Sequence, residues 1–257
     1  MGNYSAFVGF DGYIDEIFKP KTGLECFESI KHFNDYLIRN GSASADISVN
    51  RIGRRMGGNA PLLAYSLARK GLKVHCAGAF GQDKLFPIFA PLEKCCKIIT
   101  VADPAECYAF EFPDGKIMFG EHSSLDKITP KVIRKKIGEK LLAKLLQSDL
   151  ICFVNWSGIL HGNEILYEIL LEGAKTKKGK KQILFLDLAD LSVIESTRVS
   201  ELIALLAQLG QRYYTTLGLN KKEALIFIEH CGIKAASLPK MAEMLRIRLG
   251  VDENYGA

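Results

Sequence analysis

Short apolar runs alternate along this chain with longer segments in which apolar residues recur every three or four positions. The short runs predict five strands, at residues 5–10, 73–79, 150–154, 182–187 and 212–217. These runs are apolar throughout, which is typical of strands that helices cover on both faces. The longer segments predict helices at about 58–71, 84–95, 130–147, 161–175, 197–209, 220–231 and 239–249. This alternation predicts an α/β fold with a mostly parallel sheet between two layers of helices.

One region departs from this alternation. Residues 107–112 and 116–120 each alternate between apolar and polar positions, and the turn sequence Pro113, Asp114, Gly115 separates them. This pattern predicts a β-hairpin. Because a two-stranded ribbon is unstable alone, we expect it to join residues 13–18, and also residues 47–52, in a small second sheet.

Composition excludes several classes of protein. About half of the 257 residues are apolar, and the net charge of +5 is too small to indicate a nucleic-acid partner. A basic run at residues 175–181 is predicted to be a solvated loop, with a polyanion contact as the alternative. The seven cysteines are scattered and lack zinc spacing, and no apolar run reaches the ~20 residues that span a bilayer. We therefore expect a cytoplasmic protein without a membrane partner.

Polar residues that directly follow predicted strands are candidates for a ligand site, because the carboxyl ends of parallel strands form a crevice. Asp11 and Asp15 follow the first strand and could bind sugar hydroxyl groups or a metal ion, or be a turn aspartate and an exposed strand residue. Asp187 ends the fourth strand. Asn220 and Glu223 follow the fifth with capping-box spacing. That spacing is explained by structure alone, although such a pair can also position Mg²⁺ and water beside phosphates.

Gly57 and Gly58 precede a predicted helix, with Asn59 after them. A glycine pair at a helix N-terminus is one way to hold a phosphate, but neither a P-loop nor a complete G-x-G-x-x-G fingerprint occurs in the sequence. The histidines at positions 122, 161 and 230 have no acid or nucleophile paired with them along the sequence.

Taken in order, these motifs resemble the ribokinase or PfkB family of carbohydrate and nucleoside kinases over about residues 5–232. The opening strand resembles that of the family, and Asp15 is the closer match to the family's sugar-binding aspartate. The glycine pair, the helix after it and residues 78–83 resemble the family's first signature. The hairpin lies where the family has its lid, and residues 219–224 match its N-x-x-E motif.

The resemblance implies a single ribokinase-like three-layer αβα domain over residues 1–257, with lid strands at about 12–18, 47–52 and 106–121. It implies ATP-dependent phosphorylation of a hydroxymethyl group on a sugar or nucleoside, with ATP and Mg²⁺ as cofactors. An exposed lid sheet often pairs with a second copy of itself, so a homodimer through the lid is one expected arrangement. The residues implied at the substrate are Asp11, Asp15, Gly57, Gly58 and Asn59, and those at the phosphates and Mg²⁺ are Asn220 and Glu223; no direct metal ligand is assigned.

Two features depart from the family pattern. An asparagine of the helix after the glycine pair is replaced here by Leu62 or Leu63. The Gly-Ala-Gly-Asp motif, which supplies the anion hole and catalytic aspartate, is absent from this sequence. We therefore expect a C-terminally incomplete domain whose catalytic base lies beyond residue 257. The alternatives are an inactive relative that binds a sugar or a partner, and a Rossmann-type oxidoreductase, which the missing dinucleotide fingerprint disfavours.

Overall fold

The computed structural model describes residues 4–23, 25–41, 46–173, 181–234, 237–249 and 253–256. Of the basic run at 175–181, all but Lys181 lies outside the described residues, as do the last two residues of the helix predicted at 161–175. The strands are β1 (Ser5–Phe10), β2 (Tyr13–Thr22), β3 (Glu25–Cys26), β4 (Ser48–Gly57), β5 (Lys73–Gly78), β6 (Cys96–Thr100), β7 (Ala105–Phe112), β8 (Gly115–Glu121), β9 (Leu150–Phe153), β10 (Ile183–Asp187), β11 (Tyr214–Leu219) and β12 (Glu253–Gly256). The α-helices are α1 (Ile30–Asn40), α2 (Asn59–Arg69), α3 (Ala90–Glu93), α4 (Pro130–Ile137), α5 (Glu139–Leu145), α6 (Gly162–Ile165), α7 (Ser196–Arg212), α8 (Lys221–His230) and α9 (Leu238–Leu249).

Seven strands form one parallel sheet in the order β12-β11-β10-β9-β1-β5-β6. All five strands predicted from apolar runs lie in it, so the predicted α/β class is confirmed. Side chains of the central strands alternate between two hydrophobic cores: Ala6 and Val8 of β1 belong to one core and Phe7 to the other. Helices α2 and α3 contribute to the first core, and α4, α5 and α7 to the second. The sheet therefore has a helical layer on each face, and its strand ends remain open for a site.

Two predicted helices are wrong in extent. The helix predicted at 130–147 is two helices, because Gly138 between α4 and α5 adopts φ +80° and ψ 139°, outside the helical region. The segment 84–95 holds only a 3₁₀ turn, Pro87–Phe89, and the four-residue α3. Pro87 and Pro91 each lack the backbone N–H that a longer helix needs. The segment predicted at 161–175 begins with α6 and continues as a π-helix, Leu166–Glu172.

The second sheet has β2 at its centre. β2 pairs antiparallel with β4 and parallel with β7, and β7 and β8 form the predicted hairpin with Phe112 opposite Gly115. The predicted second sheet is therefore confirmed, with β4 extending to Gly57 rather than ending near residue 52. Only Asp11 and Gly12 separate β1 of the large sheet from β2, so the two sheets meet at this point. No helix within the described ranges is long and apolar enough to cross a membrane.

Candidate substrate site

A cavity of about 830 Å³ opens between the carboxyl ends of the large sheet and the second sheet. Asp11, Asn155 and Asp190, which follow β1, β9 and β10, line its inner wall, and residues of β2, β4, β7 and β8 line the other. Open α/β sheets bind ligands at the carboxyl ends of their strands, and this volume falls within the ~300–1,000 Å³ of small-molecule sites. The cavity is therefore the candidate substrate site.

Asp11 joins the large sheet to the first turn of α2. Its carboxylate is fully buried and accepts hydrogen bonds from the backbone N–H groups of Asn59, at 2.8 Å, and Ala60, at 2.6 Å. The side-chain amide of Asn155 also donates to it, at 3.0 Å. These bonds satisfy unpaired donors at the helix N-terminus. Asp11 thus fixes the start of α2, and its direct contact with a substrate remains a prediction.

Burial raises the pKa of Asp11 to about 6, since desolvation outweighs the hydrogen bonds from Ala60, Asn59 and Asn155 that favour the carboxylate. The negative charge of Asp187 adds a smaller contribution in the same direction. Asp11 is therefore an acid that titrates close to the neutral range.

Asp15 lies two residues beyond Tyr13 on the same face of β2, as the strand period requires. Its carboxylate lines the cavity and lies 3.6 Å from the Nε atom of Arg55. Burial raises its pKa, opposed by the positive charges of Arg55 and Lys116. Gly57 pairs with Tyr13 across the two strands and is therefore diagonal to Asp15: a Cβ atom on Gly57 would be 2.2 Å from Oδ1 of Asp15. The absence of a side chain at Gly57 therefore makes room for the Asp15 carboxylate.

The second glycine of the pair is constrained by its backbone. Gly58 adopts φ +98°, which disfavours any other residue, and a Cβ atom on it would lie 3.2 Å from Oδ2 of Asp11. Asn59 follows, and its side-chain amide donates to Asp187 at 2.6 Å. Both residues line the cavity. That bond ties the start of α2 to the end of β10. Asp187 is not among the residues that line the cavity, so its place in the crevice remains a prediction.

Three further polar side chains, which sequence motifs did not identify, connect across the cavity. The Asn155 amide donates to the Tyr13 hydroxyl at 3.3 Å, and that hydroxyl lies 3.1 Å from Nδ1 of His122. Asn155 adopts φ +56°, a left-handed conformation that asparagine tolerates better than most residues. Asn155 could have been found by the rule that selected Asp11, because it follows an apolar strand. His122, just beyond β8, carries no such signal.

The loop bearing Asn155 is held by Arg198 of α7. The guanidinium donates to the carbonyl oxygens of Trp156, Ser157 and Ile159 at 2.8, 3.2 and 2.5 Å. It also packs on the Trp156 ring at 4.3 Å from the centroid. One side chain therefore satisfies three carbonyl groups beneath the cavity wall.

Asn220 and Glu223 form the predicted capping box at the start of α8. The Asn220 side chain accepts from the Glu223 N–H at 3.0 Å, and Glu223 accepts from the Asn220 N–H at 2.9 Å. Burial raises the pKa of Glu223, and the charges of Asp187 and Asp190 raise it further. Neither residue lines the cavity; both lie at the same sheet edge, beside its inner wall. The capping role is therefore certain, and the phosphate role remains a prediction.

Whether this edge of the large sheet can hold Mg²⁺ depends on the carboxylate groups located there. The described residues contain no group of three or more His, Cys, Asp or Glu side chains that could hold a metal ion. Mg²⁺ bound to nucleotide phosphates needs only one or two carboxylates, often through water. Asp190 and Glu223 are carboxylates whose mutual repulsion a cation would relieve. They fit a Mg²⁺–phosphate group held through water.

The remaining histidines lie away from this cavity. His161 lies 2.9 Å from the Glu164 carboxylate, so the expectation that it has no acidic partner is wrong: the pair is three residues apart on the first turn of α6. His230 contacts the carbonyl oxygen of Ile226 at 2.9 Å in the last turn of α8. Both pairs are local helix contacts.

The fold and the position of this cavity are those of the ribokinase/PfkB structural class. The ribokinase of Thermotoga maritima is similar with a TM-score of 0.56 and 19% identity, over 99% of this chain and 71% of that one. A PfkB protein from Polaromonas sp. JS666 is similar with a TM-score of 0.60 and 11% identity, over 99% and 76%. At such identities the likeness shows the fold.

Sequence comparison identifies one family within this structural class. A ketohexokinase of Haloferax volcanii is 24% identical over an alignment of 262 positions, which covers 96% of this chain and 68% of that protein. The sequence model of the prokaryotic ketohexokinase family matches residues 2–256. The chain belongs to the prokaryotic ketohexokinase family, and the resemblance to ribokinase/PfkB carbohydrate kinases is confirmed.

Proposed function

We propose that this protein transfers the γ-phosphoryl group of ATP to a hydroxymethyl group of a ketohexose. The observation that carries the proposal is the cavity between the carboxyl ends of the large sheet and the second sheet, with Asp15 and Asn155 on opposite walls. A site closed on two sides can surround a small polar molecule and exclude water from it. The name of the Haloferax volcanii relative supports a ketohexose as the sugar.

Asp15 is the side chain best placed to accept hydrogen bonds from sugar hydroxyl groups. It is half-buried and faces the cavity, and its ion pair with Arg55, at 3.6 Å, leaves acceptor capacity on the carboxylate. Gly57 and Gly58 let the backbone approach closely, Asp11 holds the start of α2, and Asn59 extends from that turn towards the substrate. The second sheet acts as the lid, formed by β2, β4, β7 and β8.

The phosphate end of the site lies at the start of α8. Asn220 and Glu223 stand there with Lys222, whose ammonium group is 3.4 Å from Asp190. A helix N-terminus and a lysine favour the negative phosphates, and the carboxylates of Asp190 and Glu223 would hold a Mg²⁺ ion bound to them. When bound, ATP with Mg²⁺ supplies the transferable phosphoryl group. The protein's contribution is to position the sugar hydroxyl and neutralise charge.

We propose a compartment from the state of the cysteines and an assembly from the edges of the lid. All seven cysteines are free thiols, which supports a reducing cytoplasm. The edge strands of the lid expose Val49 and Ile52 on β4 and Phe119 on β8. Apolar edge strands favour pairing with another copy, so we propose a homodimer through the lid.

A second candidate is a relative that binds the sugar without phosphorylating it. The observation that favours it concerns the carboxylates of the described cavity lining, all of which already have partners. Asp11 accepts two backbone N–H groups, Asp15 pairs with Arg55, and Asp190 accepts from Ser192. These partners favour the ionised carboxylates and so oppose the proton uptake that a general base must perform, while the acceptor capacity that Asp15 retains serves hydrogen bonding to the sugar.

One experiment separates the two candidates. The protein is mixed with ATP, Mg²⁺ and one member of a panel of sugars: fructose, other ketohexoses, ribose, glucose, a sugar acid and adenosine. ADP formation is followed by a coupled assay, and sugar binding by calorimetry. We expect ADP with ketohexoses and a phosphate ester on a primary carbon by phosphorus-31 NMR. Binding without ADP supports the second candidate, and turnover confined to ribose, glucose, a sugar acid or adenosine refutes the ketohexose assignment.

A further inference from the structure

The imidazole of His122 is held in one orientation at the cavity wall. A Cβ atom on Gly120 would lie 2.1 Å from its Cε1 and 2.2 Å from its Nε2, so the ring covers a position that only glycine leaves open. The Tyr13 ring packs against it edge to face, with centroids 5.6 Å apart and planes at 73°. An exposed histidine with a purely solvent-facing role needs neither support.

A hydrogen-bond chain runs from Asn155 through the Tyr13 hydroxyl to Nδ1 of His122. Asp11 accepts from two backbone N–H groups, so the Asn155 atom that contacts it is the amide nitrogen, a donor. The same nitrogen donates to the Tyr13 oxygen. The Tyr13 hydroxyl, which accepts from Asn155, has its own proton available for Nδ1 of His122, 3.1 Å away. An imidazole that accepts at Nδ1 carries its proton on Nε2, and this is the tautomer that the inference below uses.

The Nε2 atom of His122, at the end of this hydrogen-bond chain, has no hydrogen-bond partner among the described residues. His122 lines the cavity and is exposed. The chain therefore presents one oriented N–H donor to the cavity, on the lid side, across from Asp11 and Asn155. Asp15, in contrast, presents an acceptor.

We infer that His122 is a specificity-determining residue, whose Nε2–H donates a hydrogen bond to one oxygen atom of the bound sugar, and that Tyr13 is the residue that positions it. The inference rests on the proposed sugar-kinase function. It assigns the two kinds of polar contact to different strands: an acceptor from β2 and a donor from beyond β8. A sugar lacking the matching oxygen leaves the donor unpaired and is bound less tightly.

The test uses three substitutions, which remove the proposed donor, replace it or remove the hydroxyl group that orients it. His122→Leu removes the donor, His122→Gln replaces it with an amide N–H at nearly the same position, and Tyr13→Phe removes the orienting hydroxyl. His161→Leu is the matched control outside the cavity. Sugar affinity is measured by calorimetry, beside kcat and KM. We expect His122→Leu to weaken binding about tenfold, His122→Gln and Tyr13→Phe about threefold, and the control not at all.

Deoxy sugars give the readout that a general structural defect would not reproduce. We expect the wild type to bind one deoxy ketohexose about tenfold less tightly than the parent sugar. We expect His122→Leu to bind that deoxy sugar and its parent with the same affinity. If every deoxy sugar loses the same factor in both proteins, or if His122→Leu binds the parent as the wild type does, the inference is overturned while the proposed function stands. If the wild type binds no sugar of the panel, both are overturned.

Discussion

Replacing Gly57 with alanine tests whether Asp15 must occupy its observed position for function. Gly57 is the last residue of β4 and stands opposite Tyr13 on β2. An alanine Cβ would lie 2.2 Å from Oδ1, 2.6 Å from Cγ and 2.7 Å from Oδ2 of Asp15. The carboxylate, rather than the backbone, is the group that must move, because the cavity offers it space.

The size of the effect follows from that geometry. Ordinary van der Waals contact begins at 3.4 Å, so the nearest oxygen has to shift by roughly 1 Å, and a misplacement of this size in a site typically costs about 100-fold in rate. We therefore expect kcat/KM for the sugar to fall about 100-fold, equivalent to ~2.7 kcal/mol of transition-state stabilisation. Stability should change by less than about 1 kcal/mol, because the displaced group faces the cavity.

Gly53→Ala is the matched control on the same strand. Its Cβ would have Ile17 Cδ1 as nearest neighbour, at 3.6 Å, which is ordinary contact. Steady-state kinetics with ATP and the preferred sugar are compared for both variants, with urea unfolding as the stability measurement. If Gly57→Ala keeps kcat/KM within about threefold of the wild type, the reasoning on Asp15 is refuted. An equal loss in Gly53→Ala would assign the effect to β4 itself.

Three other predictions concern stability and assembly. Arg198→Ala should lower the free energy of unfolding by about 3 kcal/mol, because it removes the donor of three carbonyl groups. Arg198→Lys should recover less than half of that loss. An unchanged urea midpoint in Arg198→Ala contradicts this prediction. Carbon-13 NMR should find Asp11 titrating near pH 6, above its ordinary 3.8. The contribution of Asp11 to the free energy of unfolding is then present below pH 3.8 and lost as pH rises through about 6. Titration of Asp11 below pH 4 contradicts this prediction. Asp11→Asn should lack this pH dependence of stability. Ile52→Glu on the exposed lid edge should give monomers by light scattering, and a persistent dimer excludes that edge.

The strands of the large sheet were predictable where burial on both faces made them continuously apolar. β1, β5 and β9 come closest to that pattern, whereas in β10 and β11 buried residues alternate with half-buried or exposed ones, Ile183 and Tyr214 among them. β6 was missed because it is an edge strand whose side chains are mostly half-buried, so it lacks the uniform pattern. The helix predicted at 84–95 is wrong because Pro87 and Pro91 interrupt the helical hydrogen-bond ladder that the apolar periodicity alone would favour.

The candidate site was predictable where a motif marks a strand end. Asp11, Asp15, Gly58 and Asn59 all line the cavity, and Gly57 touches Asp15. Asn155 follows β9, so the strand-end rule would have selected it as a candidate, whereas His122 carries no such signal. The contacts of both with Tyr13 span 142 and 109 residues of sequence. No local pattern encodes contacts of that separation, so they emerge only when two sheets are brought together.

The seven residues from Asp11 to Ile17 explain why fold and function are inseparable here. Asp11 holds the start of α2, and Gly12 must be glycine because a Cβ would lie 2.3 Å from the Ala79 carbonyl oxygen. Tyr13 and Asp15, one strand period apart, then face the cavity as positioning residue and acceptor. Ile14 and Ile17 are buried. Since only two residues separate the lid strand β2 from β1 of the large sheet, the polar face of β2 cannot shift without disturbing the start of α2. If the cavity binds a sugar as proposed, that linkage keeps the His122 donor and the Asp15 acceptor in fixed positions around it.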